Sequence, residues 1–397
     1  MKRSLVVALG VSVLMLAGAV LSGCASDENG DSSGDVEPIR IGAVLSLSGS
    51  YSGLGTPERD AIVLEVERIN GAGGINGRPI EVLIEDDATD EAKAQAAASK
   101  LLDQEGVVAI IGATGTGQSM AMRGDIERAG VAQVSMAGGN VITDQFSAWV
   151  FQTPWPNRLV VPFTLAHLQD SGISRLALIS DAGGYGKDGV QVTRDSLADF
   201  DIEIVAEESF NRGDTDMSGQ LTKIKAAGAD AILVWSAGSE AATVLRNATD
   251  LGLGIPLFGA PGNARLELIE GAADAAEGFV FAAGHILVPE SYGTDTDEYE
   301  VATDFIDRYT VAYGVGPDIF AGHAYDAFHI IVEALKRMPE GEIDPAALRD
   351  EIERTDGLIG IGGTFTYSAD DHNGLSEDDL TLYRIEQGAW VLAGRGE

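Results

Sequence analysis

The stretch GATGTGQS, residues 112–119, sets a threonine among glycines, between the apolar run VVAIIG and a segment of helical spacing. A loop that leaves a strand and opens a helix presents unpaired backbone amides at the positive end of aligned peptide dipoles. Those amides and the Thr116 hydroxyl would face an anionic group; the bland alternative is a helix cap. Other stretches imitate reactive chemistry and fall short of it. Gly184-Tyr185-Gly186-Lys187-Asp188-Gly189 has dinucleotide-loop spacing, with acids at 201 and 203, but its first glycine comes four residues after the strand and a tyrosine fills the crowded turn. Gly30-Asp31-Ser32-Ser33-Gly34 has nucleophile-elbow spacing where no strand and helix could aim the serine. DTDMSG, 214–219, begins like a calcium loop, yet its twelfth position is Lys225 instead of a bidentate glutamate. His167, His285, His323, His329 and His372 lack metal-ligand spacing and read as surface or packing residues. No base stands beside a candidate nucleophile, so neither an enzyme nor a metal or cofactor is expected.

The elements that would position Thr116 alternate short β-rich runs with amphipathic helices, the pattern of parallel sheets covered on both faces. IRIGAVLSL is the first strand; Thr56-Pro57 reads as a helix start with proline at its first position, and that helix ends at Gly71. RPIEVLIEDD, VVAIIG and VAQVSM continue the series, with a helix over DEAKAQAAASKLLDQ. After WVFQTPWPN a second, similar series begins: strands RLALIS, IEIVAEE, DAILVWS and IPLFG, with helices from near Gly186, Met217, Ser239 and Asn263. The tail supplies long helices over 296–313 and 318–338, a shorter one after Pro345, and strands near 363, 380 and 389. The expected fold is α/β: two Rossmann-like lobes of parallel sheet with a returning tail, and a cleft between the carboxyl ends of the sheets. Tyr325 and Asp326, in a long helix near the predicted hinge, read as core anchors.

Cys24 is the only cysteine in 397 residues, so it can build neither an internal disulfide nor a multi-cysteine metal site. Lys2 and Arg3, the apolar segment Leu5 to Val20 and the small residues before Cys24 read as an export signal over residues 1–23. Leu21-Ser22-Gly23-Cys24 resembles a bacterial lipobox, which implies cleavage before Cys24 and a lipid anchor on its sulfur; two or more acyl chains hold a protein at a membrane. Residues 24–38 are acidic and almost without large apolar groups, and read as a tether with a span of about 20 Å. Acidic residues number 62 against 26 basic ones, a net charge of −36. Such a field opposes phosphate contacts and excludes nucleic acid as a partner, and it argues against a basic membrane-binding patch.

IRIGAVLSLSGSYSGLG, INGAGGINGRPIEVLIEDD, VVAIIGATGTGQS, VFQTPWPN, ISDAGGYGKDG, FNRGDTDMSGQLTKIKAAGADAILVW and AYDAFHIIVEALKR, in this order, resemble the leucine/isoleucine/valine-binding protein family, type I periplasmic binding proteins, over about residues 39–392. The resemblance implies a solute-binding lipoprotein of an ABC importer, exported and anchored outside the cytoplasmic membrane, monomeric, with permease subunits as partners. It implies three crossovers, an N-lobe of 38–155 plus 287–360 and a C-lobe of 156–286 plus 361–397. For the pocket it implies Thr116 on the ligand carboxylate and backbone contacts from Ala137, Gly138 and Gly139, where Gly139 stands in place of a hydroxyl residue. It further implies Tyr185 closing over the solute, Ser236, Ala237 and Pro261 on the opposite wall, and Leu54 and Trp155 as apolar lining. Small-residue turns and core packing are the competing accounts of these positions. In amino-acid binders the turn at 259–263 supplies a carboxylate to the ligand ammonium; here Pro261 falls at that place and the turn holds no acid. An unpaired ammonium in a closed cleft is costly, so the expected ligand is a small carboxylate or amide with an apolar body, with a branched-chain amino acid second. A ligand-sensing module of the same fold is the alternative function.

Overall fold

The computed structural model describes residues 37–394; the expected export signal, most of the expected tether and Cys24 lie outside the described residues. Strands β1 (Ile39–Leu45), β2 (Ile80–Asp86), β3 (Ala109–Gly112), β4 (Ala132–Ser135) and β5 (Val150–Gln152) form a parallel sheet in the order β2-β1-β3-β4-β5. Between and after them run α1 (Ser52–Gly71), α2 (Glu91–Gln104), α3 (Thr116–Ala129) and the single turn α4 (Val141–Asp144). Strands β1, β3, β4 and β5 are buried almost throughout, as strands covered on both faces must be; β3 carries no polar side chain, while the buried Gln133 of β4 and Gln152 of β5 donate to the Gly112 and Ala137 carbonyls.

After α5 (Asn157–Asp170) the pattern repeats with β6 (Arg175–Asp181), α6 (Gly184–Ser196), β7 (Glu203–Phe210), α7 (Ser218–Ala227), β8 (Ala231–Trp235), α8 (Glu240–Asp250), β9 (Leu257–Gly259), α9 (Leu266–Ala272) and β10 (Val280–Ala283). These strands pair in the order β10-β9-β8-β6-β7, the same order as in the first sheet. The repeat read from the sequence is therefore a repeat of topology. The sequence reading had no strand at VFAA, residues 280–283; this buried run is too short to show a period of its own, and pairing with β9 defines it.

The tail crosses back. Helices α10 (Asp297–Tyr313), α11 (Ile319–Arg337) and α12 (Pro345–Glu353) pack on the first sheet's side, α11 along α1 and against β3, α12 against β4. A two-stranded ladder of β11 (Leu358–Ile359) and β12 (Thr364–Phe365) follows, and β13 (Thr381–Glu386) and β14 (Ala389–Leu392) extend the second sheet antiparallel. The chain thus passes between the sheets three times. The crossings are stitched together: Asp326 on α11 accepts the Ile361 and Gly362 amides at 2.6 and 2.8 Å, the Trp155 indole donates to the Gly362 carbonyl at 2.8 Å, and the Asn373 side chain donates to the Pro154 carbonyl at 2.8 Å. Asp326 is the anchor the sequence suggested.

The start of α1 differs from expectation. The helix begins at Ser52, because the Tyr51 carbonyl already accepts the Leu54 and Gly55 amides, and Pro57 falls in the second turn. Its missing N–H costs one bond inside the helix, which packing against α11 offsets.

Candidate functional site

In both sheets the strand order reverses beside the first strand, between β1 and β3 and between β6 and β8. Loops leaving the two strands at such a point diverge to opposite faces and open a crevice at the strands' carboxyl ends. The loops after β1 and β3 face those after β6 and β8, and the cavity between them is lined from both sides by Tyr51, Leu54, Thr116, Tyr185, Ala237 and Pro261, among others.

Thr116 opens α3, but Gly115 is the N-cap residue and no side chain caps the helix. The Thr116 hydroxyl is buried and has no hydrogen-bond partner. A cap would have spent that oxygen on the helix; here it is left for the cavity, beside first-turn amides that no residue of the helix can satisfy.

Of the ten residues expected at the ligand, Leu54, Thr116, Ala137, Gly138, Trp155, Tyr185, Ala237 and Pro261 line this one cavity. Gly139 and Ser236 stand just behind its wall. A Cβ on Gly139 would lie 2.4 Å from Thr116 Cγ2 and 2.8 Å from its hydroxyl oxygen, so a side chain there and the present Thr116 rotamer exclude each other. The Ser236 carbonyl accepts from the Asn263 side chain at 3.0 Å, and its hydroxyl is buried without a partner. Gly138 lets the Tyr185 ring lie across the cleft: a Cβ would sit 3.2 Å from Tyr185 Cε2. Burial raises the pKa of the Tyr185 hydroxyl above the usual phenol range, with the Gly262 amide opposing the shift. Trp155, held by Gly362, serves the wall and the crossing at once.

The cavity also contains residues that sequence reasoning missed: Tyr51, Met136, Ile319, Phe320 and His323. Burial pushes His323 down to about 3, so the imidazole is neutral; its Nδ1 has no partner and its ring meets Trp155 edge-on at 5.0 Å. The reading of His323 as mere surface or packing is corrected in this respect: it packs, and it also offers a ring nitrogen near the solute space. Its sequence signal, an apolar stripe at the start of α11, is the same one a core helix gives.

No Asp or Glu lines the cavity among the described residues. Buried acids stand behind its wall: Glu58 accepts from the hydroxyl of the lining Thr114 at 2.5 Å, and Asp181 and Glu240 lie near Tyr51. Burial raises Asp181 to about 6, and Glu240 spends one oxygen on the Gly213 amide at 2.7 Å. The lobes are held together around the cavity by two polar clasps. Asp188 of α6 accepts the Asn140 and Val141 amides at 2.8 and 3.2 Å. Arg212, after β7, lies over the Tyr51 ring with its guanidinium carbon 4.4 Å from the centroid and donates to the Tyr51 hydroxyl at 3.1 Å.

The glycines of the 184–189 motif serve packing. A Cβ on Gly184 would meet the Gly117 nitrogen at 2.9 Å, on Gly186 the Asp181 carbonyl at 2.0 Å, and on Gly189 the Trp235 indole at 2.0 Å. Among the described residues no group of three or more metal-ligating side chains converges, and no helix is long and apolar enough to cross a membrane.

Two parallel-sheet lobes closing on a cavity with polar tips and apolar walls define a two-lobed solute-binding protein of the type I periplasmic class. A model of the periplasmic binding protein family matches residues 38–389, and the chain belongs to that family, which is a family of binding proteins and not of enzymes. Similar proteins include a leucine-, isoleucine-, valine-, threonine- and alanine-binding protein of Pseudomonas aeruginosa, 25% identical over 363 residues, covering 89% of this chain and 91% of the relative. A Leu/Ile/Val-binding protein homolog of Brucella suis is 27% identical, covering 84% and 86%. Among solved structures, an extracellular ligand-binding receptor from Rhodopseudomonas palustris superposes with a TM-score of 0.84 at 26% identity, covering 90% of this chain and 99% of that one. The branched-chain amino acid transporter substrate-binding protein LivJ from Streptococcus pneumoniae, solved with isoleucine, gives 0.78 at 28% identity, covering 89% and 98%.

Proposed function

We propose that this protein is the solute-capturing component of an ABC importer, that it takes a small carboxylate or amide with an apolar body, and that it delivers this solute to membrane permease subunits. The observation that carries the reading is the buried, unpartnered Thr116 hydroxyl at a helix N-terminus, facing apolar walls and Tyr185 across the interlobe cavity. In this reading the N-lobe is 38–155 plus 287–360, the C-lobe is 156–286 plus 361–397, and the two move as bodies about the three crossings. Solute binds the open N-lobe first, and contacts from Tyr185 and the Asp188 clasp shift the population to the closed form. Cys24 carries the lipid anchor that holds the monomer on the outer face of the cytoplasmic membrane.

The names of the similar proteins favour a branched-chain amino acid as the second reading. Against it stands Pro261, in a turn without any acid to meet an ammonium. Thermal-shift and calorimetric screening against leucine, valine, aliphatic and aromatic carboxylates, amides and urea decides between them, since a bound solute raises the melting midpoint by mass action. Tight leucine or valine binding with indifference to carboxylates would overturn the first reading.

A further inference from the structure

Beside the solute cavity lies a wider groove of ≈ 740 Å³, lined by Ser52 and Gly53 of α1, by Ala264, Arg265 and Glu267 of the opposite lobe, and by Asp318 at the head of α11. Residues adjacent in sequence line the two spaces: Tyr51 and Leu54 line the cavity and Ser52 and Gly53 the groove, and Gly262 lines the cavity and Ala264 the groove. Arg265 is 2% exposed, and its Nε has no hydrogen-bond partner. Glu267, Asp318 and Glu240 are near enough to act on its charge, yet none forms an ion pair with it. A guanidinium withdrawn from water without a paired acceptor is costly, and so is a buried donor left unbonded.

The first turn of α1 approaches this guanidinium closely. An ideal Cβ on Gly53 would stand 3.1 Å from Arg265 Nη1 and 3.4 Å from Glu267 Oε1, so glycine keeps free a space that the guanidinium and the Glu267 carboxylate both border. The Ser52 and Leu54 amides turn back to Gly49 and Tyr51, which leaves the Gly53 amide at the positive end of a 20-residue helix. No acid occupies that first turn. A planar guanidinium from one lobe and a helix N-terminus from the other make a pair of donors suited to a carboxylate.

We infer that the groove holds a second carboxylate of the same solute whose first carboxylate lies at Thr116, making the protein a binder of dicarboxylates. The inference rests on the reading given under Proposed function. Glu267 and Asp60 line the same groove, and the whole chain carries a net charge of −36, so a free anion is repelled on its way in. A carboxylate tethered to a group already seated in the cavity arrives at a high effective concentration and overcomes that field. Once bound, it would touch both lobes and favour closure.

The test is calorimetric titration of the purified protein with α,ω-dicarboxylates from succinate to suberate and with monocarboxylates of equal carbon number. The expected result is that one chain length of dicarboxylate binds roughly tenfold or more tighter than its monocarboxylate partner. Arg265→Gln should erase that difference and leave monocarboxylate affinity unchanged, whereas Thr116→Val should weaken both. Because R265Q could disturb folding, G53A serves as a second variant: it keeps the charge, favours the helix, and sets a methyl group in the carboxylate's place, so it should give the same selective loss. Monocarboxylate binding without any dicarboxylate advantage, or an advantage that survives both variants, overturns the inference and leaves the proposed function standing. Binding of amides with failure of every carboxylate overturns the inference alone; failure of carboxylates and amides alike, with amino acids bound instead, overturns both together.

Discussion

The carboxylate of Asp188, in the second α/β series, accepts the backbone amide of Asn140, in the first series, at 2.8 Å. The same group takes the Val141 amide and the Asn157 side chain, so one acid on α6 holds the opening turn of α4 and the start of the first crossing. In the proposed closure the bonds to Asn140 and Val141 contribute to the free energy of closing, whereas the bond to Asn157 lies within the C-lobe.

Asp188→Ala removes an acceptor from three buried donors. Solute affinity is expected to fall by about 1–3 kcal/mol, and the solute-free population to open. Calorimetry with the best solute from the screen and small-angle scattering with and without it check this; an unchanged affinity and radius of gyration would remove Asp188 from the clasp.

Thr116→Val keeps shape and deletes the hydroxyl. A carboxylate solute should lose on the order of 1–3 kcal/mol of binding while the melting temperature of the empty protein stays the same or rises, because the deleted oxygen had no partner. Undiminished affinity would take Thr116 out of the site.

Gly139→Ser tests whether the hydroxyl seen at this place in amino-acid binders can be grafted. Its Cβ would intrude to 2.4 Å from Thr116 Cγ2, so overpacking of about 1–3 kcal/mol and a displaced Thr116 are expected, with weaker carboxylate binding. A variant that melts as the parent does and binds as tightly contradicts the packing described here.

Stability should fall as pH rises from acid to alkaline conditions. Burial raises Asp326 and Asp318 from 3.8 to about 7, against the amides that hold them. A raised acid contributes stability that is full below its unfolded value and lost as pH rises through about 7, at up to about 1.4 kcal/mol per pH unit for each group. Glu65 and His323 run the other way: burial raises Glu65, but His329, Arg308 and Arg68 outweigh that and hold it at about 2, so its contribution is lost only as pH falls through about 2, while the buried His323 imidazole, pushed down to about 3, loses stability as pH falls below 6.5 and offsets part of the effect of the two aspartates. Melting midpoints at constant ionic strength should therefore be higher at pH 5 than at pH 8, and Asp326→Asn should flatten the slope. An opposite slope would show that these acids are ionised without penalty.

Periodicity and punctuation made the alternating elements legible. The runs that became β3 and β8 are continuous in apolar residues because both faces of each strand are covered, and Asp90 and Asp344 mark helix starts because their carboxylates accept first-turn amides. β10 was invisible because four apolar residues carry no period, and α1 began earlier than Thr56-Pro57 suggested because a tertiary neighbour offset the proline. At the site, GATGTGQS announced itself through local chain geometry, whereas His323 read as a surface or packing residue and no local pattern singled out Phe320 or Arg265.

The order of residues alone determined two α/β halves, a crevice at their strand ends and Thr116 at a helix opening, since each follows from contacts within a few residues or from one repeated pattern. Only the tertiary structure decided which side chains share a space. Gly139 crowds Thr116 and Asp188 clasps Asn140 across distances in sequence that no local pattern spans, and burial, which only the packed chain creates, leaves the oxygen of Thr116 and the nitrogen of Arg265 without partners.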